Sequence, residues 1–134
     1  MKQHLKFYLA VVLAVALFDV IASLASRTFV FDYTKLFWVS WCIYFTVGFI
    51  GCKRVGFSGG VIGGLVAGLG DATLGWFLST AVGPYLPHRP QQPYGIILIG
   101  ITIVIVSALG AFFGLLGASL SKLLNRGPSS SAAE

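Results

Sequence analysis

The sequence predicts an all-α integral membrane protein, a four-transmembrane-helix bundle with both termini cytoplasmic, and three observations predict it. Of 134 residues, 57% are apolar and only 10% are charged, and the mean hydropathy is +0.90, which leaves too little polar surface to coat a water-soluble globule. Charged residues divide the chain into four apolar stretches, about 5–26, 36–52, 57–82 and 94–124, each near or above the length that crosses hydrocarbon. Six basic residues (Lys2, Lys6, Lys53, Arg54, Lys122, Arg126) fall on one side of these stretches, and three (Arg27, Lys35, Arg89) on the other; the positive-inside rule then places the termini in the cytoplasm. Residues 1–126 form the membrane domain, and 127–134, Gly-Pro-Ser-Ser-Ser-Ala-Ala-Glu, read as a disordered tail. A β-barrel is disfavoured, because the apolar runs are continuous and the third and fourth are rich in Gly and Ala.

The first span follows Lys2 and Lys6. With Ser23-Leu24-Ala25 downstream it also resembles a cleavable signal peptide, but Asp19 interrupts the expected apolar-to-small transition, so it is read as a retained helix. The second span, about 16 residues or ~24 Å, is short for a ~30 Å core, whereas the fourth, about 30 residues or ~45 Å, must tilt or protrude into the cytoplasm. Between the third and fourth, residues 83–93 carry four of the five prolines and should form a stiff, extended connector that can double as a docking surface. Tyr33, Trp38, Trp41, Trp76, Tyr85 and Tyr94 fall towards the outer boundary, and Phe7 and Tyr8 towards the inner one.

Small residues predict how the helices pack. Gly56, Gly60, Gly64 and Gly68 recur every four positions and continue to Ala72, a glycine zipper, with Gly59 and Gly63 in a parallel row. Gly110, Gly114 and Ala118, with Ser107, Ala111 and Gly117, answer them on the fourth span. Rows without side chains let two backbones approach and gain dispersion contacts that lipid tails do not match. Packing of spans three and four against each other is the expectation; a spare row admits homo-oligomerisation or docking in a larger membrane complex.

Two acids lie inside the spans, Asp19 and Asp71, each 14 residues from the start of its helix and hence ~21 Å deep. Their helices run the same way, so the carboxyls can meet if spans one and three are neighbours. Asp71 shares a face with Gly60 and Gly64 within about 20°, which predicts burial, and Asp19 shares one with Val12, Ser23 and Ser26. Hydroxyls on Ser23, Thr73, Thr46, Thr102 or Tyr44 are available to them. The functional reading is a proton or ion relay through Asp19, Asp71, Thr73 and Ser23. The structural one is a neutral, hydrogen-bonded aspartic acid that fixes helix register. Gly70 and Gly75 flank Asp71 and either permit a local break or continue close packing. Arg27, two turns beyond Asp19, is too far along the helix for direct contact.

Enzymatic function is not expected: no nucleophile with a base, metal-ligand cluster or phosphate loop can be assembled, and no cofactor or metal is implied. Cys42 and Cys52, ten residues apart on one helix, are ~15 Å from each other and do not form a disulfide. The basic residues do not gather on a soluble face, so nucleic acid is not an expected partner; the lipid bilayer is. The length and four-span layout resemble those of small fluoride channels and small multidrug exporters. The Asn-containing and Thr-Phe-rich motifs of the former and the early-helix Glu of the latter are absent, so neither function is carried over. The leading reading is a structural or accessory subunit of a bacterial inner (plasma) membrane; the alternative is a small proton-linked transporter or ion channel using Asp19 and Asp71.

Overall fold

A computed structural model describes residues 2–87 and 95–125. Arg89, Tyr94, most of the proline-rich connector, Arg126 and the tail lie outside the described residues. Helix α1 (Lys2–Phe29) leads into a 3-10 turn (Tyr33–Leu36) and α2 (Phe37–Val55); α3 (Phe57–Gly70), a π turn (Asp71–Gly75) and α4 (Trp76–Val82) form one continuous third span, and α5 (Ile96–Leu124) is the fourth. No strand occurs among the described residues. Four helical segments, His4–Phe29, Tyr33–Val55, Phe57–Val82 and Ile96–Leu124, are long and apolar enough to cross a membrane.

The second span is longer than expected, at 23 residues. Asp32 accepts hydrogen bonds from the Thr34 backbone N–H (2.9 Å) and hydroxyl (2.8 Å), which starts the 3-10 turn one step before the helix. At its other end Gly56, with φ +97°, is the single residue between α2 and α3. Gly56 was expected in the packing row, but it lies in the turn, is exposed, and has no atom within 4 Å of where a side chain would begin. Its part is to reverse the chain, for which a positive φ is needed.

The core of the bundle is a three-helix cluster of α2, α3 and α5, the most extensively packed elements. It is built on backbone. A Cβ added to Gly64 would run into the backbone of Gly110 and Gly114, one on Gly68 into Val106, Ser107 and Gly110, and one on Gly60 into Gly48 and Ala118. Helix α2 joins the same seam, because Gly51 faces Gly60 and Gly48 faces Gly114. Apart from the Ala118 methyl group, the obstacles are backbone atoms, so the helices lie in backbone contact along this seam.

Helix α1 packs parallel to the third span and not against α5. Phe7 and Tyr8 cover Gly63 and Gly59, and Val12 lies on Gly70. The second small-residue row is therefore covered within the chain, by Phe7 and Val47 at Gly63 and by Val55 and Tyr8 at Gly59. The outward stripe Leu5, Leu9, Leu13, Leu17, Ile21 and Leu24 is exposed along the whole of α1. A polar solvent would disfavour that stripe, whereas lipid accommodates it.

At the end of the bundle carrying the two inter-span loops, Ser26 fastens both. Its hydroxyl donates to the Phe31 carbonyl (2.7 Å) and accepts from the Tyr85 N–H (3.2 Å), while the Tyr33 N–H donates to the Tyr85 carbonyl (3.2 Å). Arg27 turns away from Asp19 and donates to the Val82 carbonyl at the end of α4 (3.3 Å), a position favourable for a cation.

Candidate functional site: an intramembrane carboxyl pair

Four elements meet at the middle of α1. Asp19, 1% exposed, projects from α1 onto Gly75 at the end of the π turn, where a Cβ would overlap its Oδ2. The same Cβ position lies 3.5 Å from Asp71 Oδ1, so the carboxyls of Asp19 and Asp71 converge on one glycine. Glycine at 75 is therefore what admits the Asp19 carboxyl to the third span.

The two remaining sides are closed by phenols. The Tyr33 hydroxyl, from the 3-10 turn, donates to Asp19 Oδ1 at 3.0 Å, and the Tyr44 hydroxyl, from α2, donates to Asp71 Oδ2. Ser23 lies beside the Tyr33 hydroxyl and Ser40 beside that of Tyr44. Each acid thus receives one neutral donor, and among the described residues no cation faces either. Asp19 Oδ2 and Ser23 Oγ are buried without a hydrogen-bond partner, a costly condition in a low-dielectric interior.

Asp71 and Gly75 are the two ends of a π turn. Neither a break nor an ordinary α-helix is present between Gly70 and Trp76: the Trp76 N–H reaches back to the Asp71 carbonyl, five residues earlier. One extra residue in the turn rotates the remainder of the span relative to α3. π turns of this kind are frequent at functional sites.

Surroundings differ on the two sides of the pair. Towards the loops, Asp19, Ser23 and Ser26 form a polar file on one face of α1, all 1% exposed or less. Towards the termini, a hydrophobic cluster of Val11, Val15 and Ala67 with Phe7 and Val47 follows, and the buried hydroxyls on that side, Ser107 and Ser121, belong to α5.

Of the residues expected in the relay, Asp19, Asp71 and Ser23 come together and Thr73 does not. The Thr73 hydroxyl donates to the Leu69 carbonyl at 2.6 Å on the exposed side of the helix, because two residues after Asp71 the helix has turned away. Thr46 and Thr102 likewise bond carbonyls of their own helices, Cys42 and Leu98, and are exposed. Asp71 is half-buried, less enclosed than its angular position suggested. Tyr33 is the member that sequence reasoning assigned only to the outer boundary; its one signal was a phenol immediately after Asp32, a helix-starting residue that turns the chain back towards the bundle.

Cys42 and Cys52 are free thiols, and no group of three or more His, Cys, Asp or Glu residues is close enough to hold a metal among the described residues. No protein-family model, curated protein or solved structure matches the chain.

Proposed function

We propose that this chain is a small proton-linked transporter or channel of a bacterial plasma membrane, with cytoplasmic termini, in which Asp19 and Asp71 hold an exchangeable proton between them. The observation that carries the reading is the pairing itself: two acids from different spans converge on Gly75, one with a buried oxygen that has no hydrogen-bond partner. Two acids that converge at one buried glycine, with no cation facing them among the described residues, form a site that one exchangeable proton can bridge. That proton satisfies Asp19 Oδ2. Tyr33 and Tyr44 each donate to the far side of one acid, leaving the edge between the acids for exchange. The file of Ser23 and Ser26 supports access from the loop end, and the apolar layer of Val11, Val15 and Ala67 is the closed side of the cycle.

One observation favours a second reading, an accessory subunit in which the pair only fixes helix register: that same apolar layer separates the acids from the terminal end. Proton flux into liposomes, driven by a potassium diffusion potential, distinguishes the two. Asp19→Asn and Asp71→Asn are each expected to reduce flux by about tenfold or more, as removal of a general acid–base group typically does, with the same elution profile in detergent. A parent protein with no flux above empty liposomes, and Asn variants that lose thermal stability, would leave the acids as architecture.

A further inference from the structure

We propose that the cavity where α1 meets the turn between α2 and α3 binds the phosphate headgroup of an anionic phospholipid. The cavity, about 370 Å³, is lined by His4, Lys6, Phe7, Ala10, Arg54 and Val55, and its size falls within the ~300–1,000 Å³ typical of ligand pockets. It lies at the opposite end from the Ser26 fastening and does not depend on the carboxyl pair being a proton site.

Three features of the lining select the ligand. Its described polar side chains can all donate, an imidazole, an ammonium and a guanidinium, with no carboxylate among them. The described acids are elsewhere, Asp19 and Asp71 in the pair and Asp32 at the start of the 3-10 turn, so an external anion is the natural counter-charge. Arg54 supplies a planar fork that fits two phosphate oxygens at once, and Lys6 a point charge beside it. Phe7, Ala10 and Val55 complete the cavity with apolar wall, suited to the first carbons of an acyl ester and not to a fully hydrated anion.

Position supplies the remaining argument. His4, Lys6, Phe7 and Ala10 belong to the first turns of the first candidate span, and Arg54 and Val55 to the last turn of the second. That is the level at which hydrocarbon gives way to headgroups, where basic pockets between transmembrane helices recognise anionic lipids. Of the other basic side chains described at this end, Lys53 lies over the Phe49 ring at 4.6 Å and Lys122 over the Phe57 ring at 5.4 Å. Among the described Lys and Arg residues at this end, Lys6 and Arg54 are the ones that line the cavity.

The test measures saturable binding of phosphatidylglycerol to the full chain in neutral detergent, by native mass spectrometry, with phosphatidylcholine as comparison. Arg54→Gln and Lys6→Gln are each expected to weaken phosphatidylglycerol binding about fivefold, the usual worth of one basic residue at an anionic membrane surface, while Lys122→Gln leaves it within twofold. Ala10→Phe, which fills the cavity and keeps every charge, is expected to weaken it as well, and covers the case in which Arg54→Gln fails to fold. Equal loss with Lys122→Gln, equal retention of phosphatidylcholine, or unchanged binding in Ala10→Phe would overturn the proposal. So would displacement of the lipid by inorganic phosphate at equal concentration, which would make a soluble phosphate the ligand.

Discussion

The seam between α2, α3 and α5 and the junction between α1 and the π turn are both buried, yet they are held by opposite means. The seam has almost no side chains: Gly48, Gly60, Gly64, Gly110 and Gly114 put backbone on backbone, and its stability is the sum of many weak dispersion contacts. The junction is made of a few polar groups, Asp19, Asp71, Tyr33 and Tyr44, in which each phenol donates to one carboxyl. A seam of the first kind has one arrangement and no chemistry. A junction of the second kind can change state without repacking the helices, and it is found where the rigid cluster ends and α1, in contact with only one side of it, begins.

The largest effect that this contrast predicts is at the seam. Gly64→Leu places a branched side chain where the Gly110 and Gly114 backbones already touch, so α3 and α5 must separate along their length. The expected cost is at least about 3 kcal/mol, the upper range for overpacking, read as loss of the monodisperse species in detergent and a lower midpoint in SDS titration. Gly100→Leu, at an exposed position of α5 with nothing within 4 Å, is expected to leave both unchanged. Equal behaviour of the two variants would break the claim that backbone contact holds the cluster.

Gly75→Ala sharpens the comparison from the other side. The added methyl would overlap Asp19 Oδ2, but the obstacle is a side chain, which can rotate away where backbone cannot. The expected outcome is a smaller destabilisation, about 1–2 kcal/mol for one displaced buried hydrogen-bonding group, together with loss of the Tyr33 contact. Ultraviolet resonance Raman of the tyrosines, compared with Tyr33→Phe, reports that loss. A Gly75→Ala protein with parental tyrosine bands and parental stability would show that Asp19 does not rest on Gly75.

Much of the seam and part of the junction were legible in the sequence, for reasons that lie in what periodicity encodes. Counting four residues at a time placed Gly60, Gly64 and Gly68 opposite Gly110, Gly114 and Ala118, and counting from the helix starts placed Asp19 and Asp71 at one depth. Both are properties of a regular helix. The features that fell outside the counting are irregular: the π turn at Asp71–Gly75, the removal of Gly56 into a turn, and the return of Tyr33 from the first loop into the bundle. Thr73 was assigned to the site because it lies near Asp71 in sequence, and a helix sends residues two apart to different sides. The share of α2 in the seam rests on Gly48 and Gly51, only two glycines without the four-residue rhythm that marks the other helices.

The smallest effect concerns the turns at the ends of α1 and α2. Gly56 ends α2 at φ +97°, and Val30 ends α1 at φ +54°, the only non-glycine residue with positive φ among those described. A β-branched side chain in the left-handed region costs about 1–2 kcal/mol that glycine does not incur. Val30 accepts that cost while the next residue closes the helix end, with the Phe31 N–H on the Ser26 carbonyl and the Ser26 hydroxyl on the Phe31 carbonyl. Since Val30 is 62% exposed, little packing is lost with its side chain. Val30→Gly is therefore expected to stabilise the protein by up to about 1 kcal/mol, less the extra freedom glycine gives the unfolded chain, measured as a raised thermal midpoint in detergent. Gly56→Val should move it the other way. A lowered midpoint in Val30→Gly would mean that the stiffness of valine, more than the strain it carries, holds the loop that brings Tyr33 to Asp19.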